Sequence, residues 1–511
     1  MSRSKLLIIA AGLVAVTVAV WFFGMRARNQ DLDQVTETVE HLDAMPTVGP
    51  IKAPTISRET TFVTAPVDSD GFVDYLAALN EHLREGMTVD NNAAVLFARG
   101  GLGMGIRTNR RARTLAILGV EESDLLVPGY DKWAERGDQK VLDQVIDQPW
   151  EGSQFPQVLE WLERNEAALR VIVEGTQCSR CYFPMLTDDN DEKLVLHILL
   201  DMHQDSRDAA KCLVARAMLR MGRGQFEEAK RDLLACHRLS RLMGQTPNLI
   251  CGLVCYEIDA TAWRGDAALL RFTNLDAPAA LEFQRALSEL PPFPTIADNV
   301  DFVERIQLLD AVTSKWKVPS HSNLTIAFDE CLRLCNQELD RYVDALRPAT
   351  FPQRDNALNS LIRDLRIANQ GFGDPSTYVS RVFAQNHSPE VFGRKVGQFY
   401  FTRLLPNIGM SVKFETKAKT RIALLRLGFA ATAHYAEKGE YPDKLDDLSP
   451  RFISEIPRDP FSDGQFNYKN EGHAFLLQSL GADGEDDRVK PNVNQAPGDD
   501  LILFVTRPGA K

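Results

Sequence analysis

The sequence predicts a mainly α-helical protein in three parts: an N-terminal transmembrane helix, an α-helical body and a small α+β domain at the C-terminus. Three observations carry that expectation. Leu6 to Phe23 is an uninterrupted apolar run. Apolar residues then recur at helical spacing through much of residues 67–409. Short β-prone segments gather near the end, at Phe466 to Tyr468, Phe475 to Leu480 and Leu501 to Val505. The resulting partition is 1–29 for the anchor, 30–66 for a linker, 67–409 for the body and 410–511 for the C-terminal domain. With 511 residues, 44% hydrophobic and 25% charged, the chain has the composition of ordinary folded domains. Its net charge of −12 argues against nucleic acid as a partner, because phosphate binding needs clustered Lys and Arg. The NRRAR at Asn109 to Arg113 is too short to reverse this.

The first element is a retained signal anchor. Leu6 to Phe23 lacks charge and ends in Trp21, Phe22 and Phe23, and roughly 20 apolar residues span a bilayer core. A cleavable signal has an apolar stretch of about 7–15 residues followed by small residues at the cut; this run is longer and no such site follows it. Arg3 and Lys5 precede the run and Arg26 and Arg28 follow it, so the flanking charges nearly balance. The acidic mass after residue 30 favours a single-pass protein with its body outside the cytoplasm. Residues 30–66 follow as a spacer, polar and acidic from Gln30 to Asp43 and broken by Pro46, Pro50, Pro54 and Pro66.

From Gly71 the pattern is helical, with Phe72, Tyr75, Leu76, Leu79 and Leu83 on one stripe. The glycines of Ala98 to Gly105 lack the Lys and Ser or Thr of a phosphate loop and read as a turn between helices. Asp208 to Met221 forms one amphipathic stretch, and Phe226, Ala229, Leu233, Cys236, Ser240 and Met243 mark a second, ended by Gly244 and Pro247. The spacing predicts a third helix over Leu249 to Arg264 and later ones over Val303 to Val312, Leu324 to Leu346 and Asn356 to Ile367. The hairpin, with Gly224, Ala229 and the Phe226-Glu-Glu-Ala run, resembles a tetratricopeptide unit. One such unit does not make an array, which needs about three to bury a continuous core. The block from Cys181-Tyr-Phe-Pro to Asn248-Leu-Ile-Cys-Gly-Leu-Val is similar to uncharacterised bacterial envelope proteins that pair a helical body with the kind of tail found here.

In the C-terminal part, Ala423, Leu424, Leu427, Ala430, Ala431 and His434 predict a helix that stops near Lys438, before Gly439 and Pro442. Between the last two β-prone segments, Asp483, Glu485, Asp486 and Asp487 face Asp499 and Asp500 across a long loop. Acids brought together need a cation, and hard oxygen donors suit calcium; the same acids also suit a solvated loop. The order of helix, Gly439-Glu-Tyr-Pro442, the Asp459-Pro460 step, Ser479-Leu-Gly-Ala-Asp-Gly484 and Gly498-Asp-Asp500 resembles the globular domain of type II secretion major pseudopilins. That family binds calcium in this loop. The resemblance therefore implies Asp483, Asp499 and Asp500 as side-chain ligands, with backbone carbonyls near Ser479 and Leu480. A pseudopilin also has a Gly-Phe cleavage step, a Glu early in its apolar helix, and a globular domain directly after that helix. None of these is present, since residues 24–409 intervene, so the resemblance implies a shared domain rather than a pilus subunit.

Eight cysteines are distributed through the body. Cys178-Ser-Arg-Cys181 is a CxxC with no second half to complete a zinc set, and a disulfide is permitted there on the outer side of a membrane. Cys251/Cys255 and Cys331/Cys335, four apart on helices, read as buried apolar residues, as do Cys212 and Cys236. His197 and His203, six apart, face different sides of a helix, and neither HExxH nor GxSxG occurs. With no catalytic residue to name, the expected function is not enzymatic. It is that of a membrane-anchored interaction or scaffold protein that binds other envelope proteins through its helical body and carries a calcium-stabilised tail. The alternative is a component or regulator of a type II secretion or pilus-like apparatus.

Overall fold

The computed structural model describes residues 53–105, 108–127, 129–133, 138–187, 194–198, 200–316, 328–368, 388–404, 408–486 and 499–506. The apolar run Leu6 to Phe23 lies outside them. Among the described residues no helix is long and apolar enough to cross a membrane. The protein is mainly helical, with one small antiparallel sheet near its C-terminus.

Helices α1 (Tyr75–Arg84) and α2 (Ala93–Arg99) begin at side-chain caps, Asp74 accepting the Ala77 N–H at 2.9 Å and Asn92 accepting that of Ala94 at 3.1 Å. The glycine-rich segment turns the chain into α3 (Thr108–Leu118). Gly101 has φ +86°, and a Cβ there would lie 2.6 Å from Val127 Cγ2 and 2.9 Å from the Gly129 backbone. Only glycine allows that approach, so the loop is a packing turn. Helices α4 (Gln139–Asp147) and α5 (Pro156–Gly175) follow.

The centre is formed by α6 (Asp201–Gly222), α7 (Phe226–Met243) and α8 (Leu249–Phe272). Helix α8 runs past Arg264, where periodicity ended it, because Gly265 and Asp266 are buried against α7: a Cβ on Gly265 would lie 2.3 Å from Leu233 Cδ2. Helix α9 (Ala277–Ser288) is capped by Asp276. A single helical rod then comprises α10 (Ile296–Asn299), a π-helical turn (Val300–Glu304) and α11 (Arg305–Trp316). Among the described residues, helices α12 (Phe328–Leu346), α13 (Phe351–Ala368), α14 (Pro389–Leu404) and α15 (Gly409–Lys438) follow. Gly439 at φ 82° terminates α15, its N–H donating to Tyr435 O at 2.8 Å.

The strands are β1 (Asn467–Asn470), β2 (Ala474–Ser479) and β3 (Leu501–Thr506), with β2 in the middle. The register sets Phe475 opposite Val505 and Leu477 opposite Leu503. All four are buried in the same core as Leu424, Leu427 and Phe429 of α15 and Leu269 and Leu270 of α8. Gly428 permits the contact, since a Cβ there would meet Leu503 Cδ2 at 2.7 Å and Leu270 Cδ1 at 3.1 Å. Earlier in α15, Val412 and Ala418 belong to a second core with α10, α11 and α12. The apolar core is therefore continuous across residue 409. Residues 53–66 also lie on the body: Asn336 Nδ2 donates to Glu59 O at 3.0 Å and Thr60 O at 2.8 Å, and Tyr75 Oη to Thr61 O at 3.2 Å.

Candidate functional site

The acidic residues of the tail stand where β2 ends and β3 begins. Ser479 is buried and donates its hydroxyl to Asp459 Oδ2 at 2.8 Å. Asp459 is a turn-forming acid that also accepts the Phe461 N–H at 3.0 Å, and burial raises its pKa above the usual range. Asp499 reaches across to accept the Ala482 N–H on Oδ2 at 2.7 Å. Gly481, at φ +66°, makes room for it: a Cβ there would lie 2.5 Å from Asp499 Oδ1. That Oδ1 is buried without a hydrogen-bond partner. Gln478, fully buried, donates through Nε2 to Asp500 Oδ2 at 2.7 Å and to Asp486 Oδ1 at 3.1 Å. Asp483 turns back on its own loop and accepts the Glu485 N–H at 2.9 Å.

The structure thus brings Ser479, Asp499 and Asp500 together with Asp486, one of the acids of the loop, and with Gln478, which the sequence had not singled out, while Asp483 is engaged locally. Leu480 is half-buried between them. Asp487 and the loop to Gly498 lie outside the described residues. The donor chemistry fits calcium: the groups are hard oxygens, and the orphaned Asp499 Oδ1 is what a cation would satisfy. Asp499, Asp500 and carbonyls near Ser479 and Leu480 would hold it. Among the described residues no group of three or more His, Cys, Asp or Glu side chains is gathered in a metal-binding arrangement.

A second polar cluster lies inside the helical body. His237 on α7 donates from Nδ1 to Asp259 Oδ1 at 2.8 Å and from Nε2 to Asp266 Oδ2 at 2.7 Å. The two aspartates are seven apart on α8, hence on one stripe, and the imidazole sits between them. Arg241, one turn along α7, donates to Asp259 Oδ1 at 2.7 Å with its guanidinium 3.4 Å from the centre of the Phe293 ring. His237, Asp259 and Asp266 have no exposed surface. Burial alone would push His237 down, but the carboxylates of Asp266 and Asp259 outweigh it and hold the imidazole up at about 9. Burial likewise opposes ionisation of Asp259, and Arg241 and His237 overcome it, bringing that carboxyl down to about 2. For Asp266 burial wins over His237, and its pKa is raised.

With Arg241 and the imidazolium cationic and both aspartates anionic, the formal charges of these four groups cancel, and Arg421 of α15 adds a further cation that Asp259 helps to offset. Such an arrangement could relay a proton, yet a substrate would reach it only if α7 and α8 separated. The adjacent Cys236 thiol is pushed well up by burial and by Asp259, so it supplies no ready thiolate. The cluster holds two helices together by paired charge, leaving Asp259 Oδ2 and Asp266 Oδ1 buried without a hydrogen-bond partner. Its signal in the sequence was Asp259 and Asp266, seven apart and so on one stripe of the helix after Leu249, a pattern that points to buried partners without naming them.

Other buried charges are spent in the same way. Asp232 of α7 takes Arg216 of α6 in a bidentate pair at 2.7 and 3.0 Å, with Arg220 beside it. Glu415 of α15 takes Arg354 of α13 at 2.9 Å and the Ile296 N–H at 3.0 Å. His203, buried in α6, is pushed down to about 4 by burial and stays neutral, and His197 sits apart in a short 3-10 turn, Val195–His197.

Glu304, at the end of the π turn, differs from these pairs. It accepts the Leu249 N–H at 3.1 Å, and burial raises its carboxyl to about 7 in spite of that bond. A folded pKa above the unfolded value of 4.5 means that stability is lost as pH rises from 4.5 through 7. Glu304→Gln keeps an acceptor and removes the charge. It should stabilise the protein by about 3 kcal/mol at pH 8 and by almost nothing at pH 4, read from urea unfolding at the two pH values.

No family model, curated protein or solved structure matches the chain.

Proposed function

We propose that this protein is a membrane-anchored, extracytoplasmic scaffold of the bacterial cell envelope, non-enzymatic, that presents a calcium-stabilised tail on a rigid helical body. In this reading Leu6 to Phe23 lies in the lipid bilayer of the inner membrane and the tetratricopeptide-like hairpin of α6 and α7 is the centre of the body. The tail is a pseudopilin-like module whose loop takes calcium through Asp499, Asp500 and carbonyls near Ser479 and Leu480, with Asp483 shaping the loop beside them.

The observation that carries the reading is the continuous core joining α8, α15 and the sheet. It makes the tail a fixed platform, and a fixed platform suits presentation to a partner. Ile502 and Phe504 share the outer face of β3 and are 36% and 38% exposed, and Phe272 at the end of α8 is 47% exposed. Arg271 donates to Phe504 O at 3.1 Å, which places these apolar side chains at one corner of the molecule. Other envelope proteins are the partners this surface suits.

The test is a thermal melt of the full chain with calcium, with magnesium and with chelator. Calcium at a hundred times its dissociation constant should add about 2.7 kcal/mol to the folded state. The gain should be calcium-specific and absent from Asp499→Ala, with a smaller loss in Asp483→Ala. No calcium-dependent shift in the wild type would remove calcium from the reading. The second reading, a component or regulator of a type II secretion apparatus, rests on the same tail. It predicts that secretion machinery co-purifies with the anchored protein, whereas the scaffold reading predicts other envelope proteins.

A further inference from the structure

Cys178 and Cys181 are set apart from the other six cysteines by where they lie. The six are buried within helices α6, α7, α8 and α12, and the pairs four apart on α8 and on α12 extend side by side along the helix, a poor disposition for bridging. Cys178 and Cys181 instead occupy the turn that leaves α5, and Cys178 is the one cysteine of the eight that is not fully buried.

That turn is pinned at every step. The Cys178 N–H donates to Gly175 O at 3.1 Å. Gln245, in the connection between α7 and α8, spans the motif with a single amide: its Nε2 donates to Ser179 O at 2.9 Å and its Oε1 accepts the Cys181 N–H at 2.8 Å. Arg180 O accepts the Ala93 N–H at 2.8 Å, and the Asn92 side chain both donates to Tyr182 O at 3.0 Å and accepts the Tyr182 N–H at 2.8 Å. Three separate parts of the chain therefore hold a CxxC turn in a fixed curvature, with little chain entropy left for ring closure to remove.

We propose that Cys178 and Cys181 form a structural disulfide that locks this turn against the start of α2 and the α7–α8 connection. The oxidant is a disulfide, whether a small thiol dimer or a protein carrier. The half-exposed Cys178 thiolate attacks it, forming a mixed disulfide and releasing one thiol. Cys181 then attacks the Cys178 sulfur and releases the second. Two protons and two electrons pass from the protein to the oxidant. Burial raises both thiols, Cys181 to about 12; thiols of that kind are poor leaving groups, so the closed bridge resists exchange and serves structure rather than redox catalysis.

The test uses the full chain, oxidised with glutathione disulfide, quenched in acid, alkylated and digested with trypsin without reduction. Trypsin cuts after Arg180, between the two cysteines, so a bridge keeps peptides 171–180 and 181–193 joined in one species lighter by two hydrogens than their sum. The joined species should dominate, and Cys181→Ser should leave glutathione trapped on Cys178. Cys178→Ser should abolish both products, and Cys251→Ser should keep the bridge. Recovery of the two wild-type peptides separately, either alkylated or with Cys178 still carrying glutathione, overturns the proposal. The wild-type digest decides it even where a variant folds poorly.

Discussion

Replacing Asp259 with Ala should destabilise the folded protein by about 3–5 kcal/mol, the cost of breaking a buried ion pair by removing one partner. Asp259 accepts from His237 and from Arg241 at once, so its loss leaves two buried cations sharing Asp266, which touches only the imidazole. Arg421 on α15, whose own burial Asp259 helps to offset, loses its counter-charge as well. The wild type should carry the signature of this cluster in its pH dependence. His237 is held at about 9 against an ordinary 6.5; a raised folded pKa means the contribution is complete below 6.5 and lost as pH rises through 9. The amount is about 3 kcal/mol. Asp259, lowered to about 2 from 3.8, contributes above 3.8 and loses its effect as pH falls through 2. The difference between wild type and His237→Gln in urea unfolding at pH 7 and pH 9.5 isolates the histidine, because Glu304, half ionised at pH 7, and the buried thiols, raised above their ordinary 9.0, contribute alike to both proteins. A wild type whose stability changes across that interval only in parallel with His237→Gln would show that the imidazole is not charged in the fold.

The second large effect is expected at Phe429. This residue of α15 is fully buried, and its ring stands 5.0 Å from that of Phe283 on α9, tilted by 57°. Phe429→Ala removes the ring from the place where the body meets the tail helix, and truncations of this kind cost about 3–5 kcal/mol. What makes the variant informative is the shape of the transition. If the core is continuous from α8 through α15 to β3, urea should unfold the body and the sheet in one step, and the whole curve should move to lower denaturant. Fluorescence from Trp150 and Trp161 in the body and hydrogen exchange at Leu477 and Leu503 in the sheet would follow the two regions. Two transitions, with only the sheet affected by Phe429→Ala, would make the tail an independent domain after all.

The helical stripes after Phe226 and Leu249, the stop at Gly439 and the three strands were legible in the sequence, because each depends on residues close together in the chain. Local period, proline and glycine placement, and β-propensity decide them. The apolar run at Leu6 to Phe23 is equally a property of sequence alone. Where reading by period stopped short, at Arg264, the continuation of α8 came from Asp266, whose partner His237 lies on another helix; no local rule could supply that. The same holds for the tail. The chain order of acids picked out Asp499 and Asp500, but it could not tell that Gln478 would lie beneath Asp500 or that Asp483 would bond its own loop. The boundary at 409 follows the extent of the pseudopilin resemblance, whereas the apolar core passes through it, because a helix with apolar residues on several sides has to bury them against body and sheet together. Sequence by itself determined which segments form helices and strands and how charge is distributed along the chain. Tertiary structure alone decided which charges cancel and which surfaces merge, since pairing across tens to hundreds of residues is fixed by packing and leaves no periodic trace in the order of amino acids.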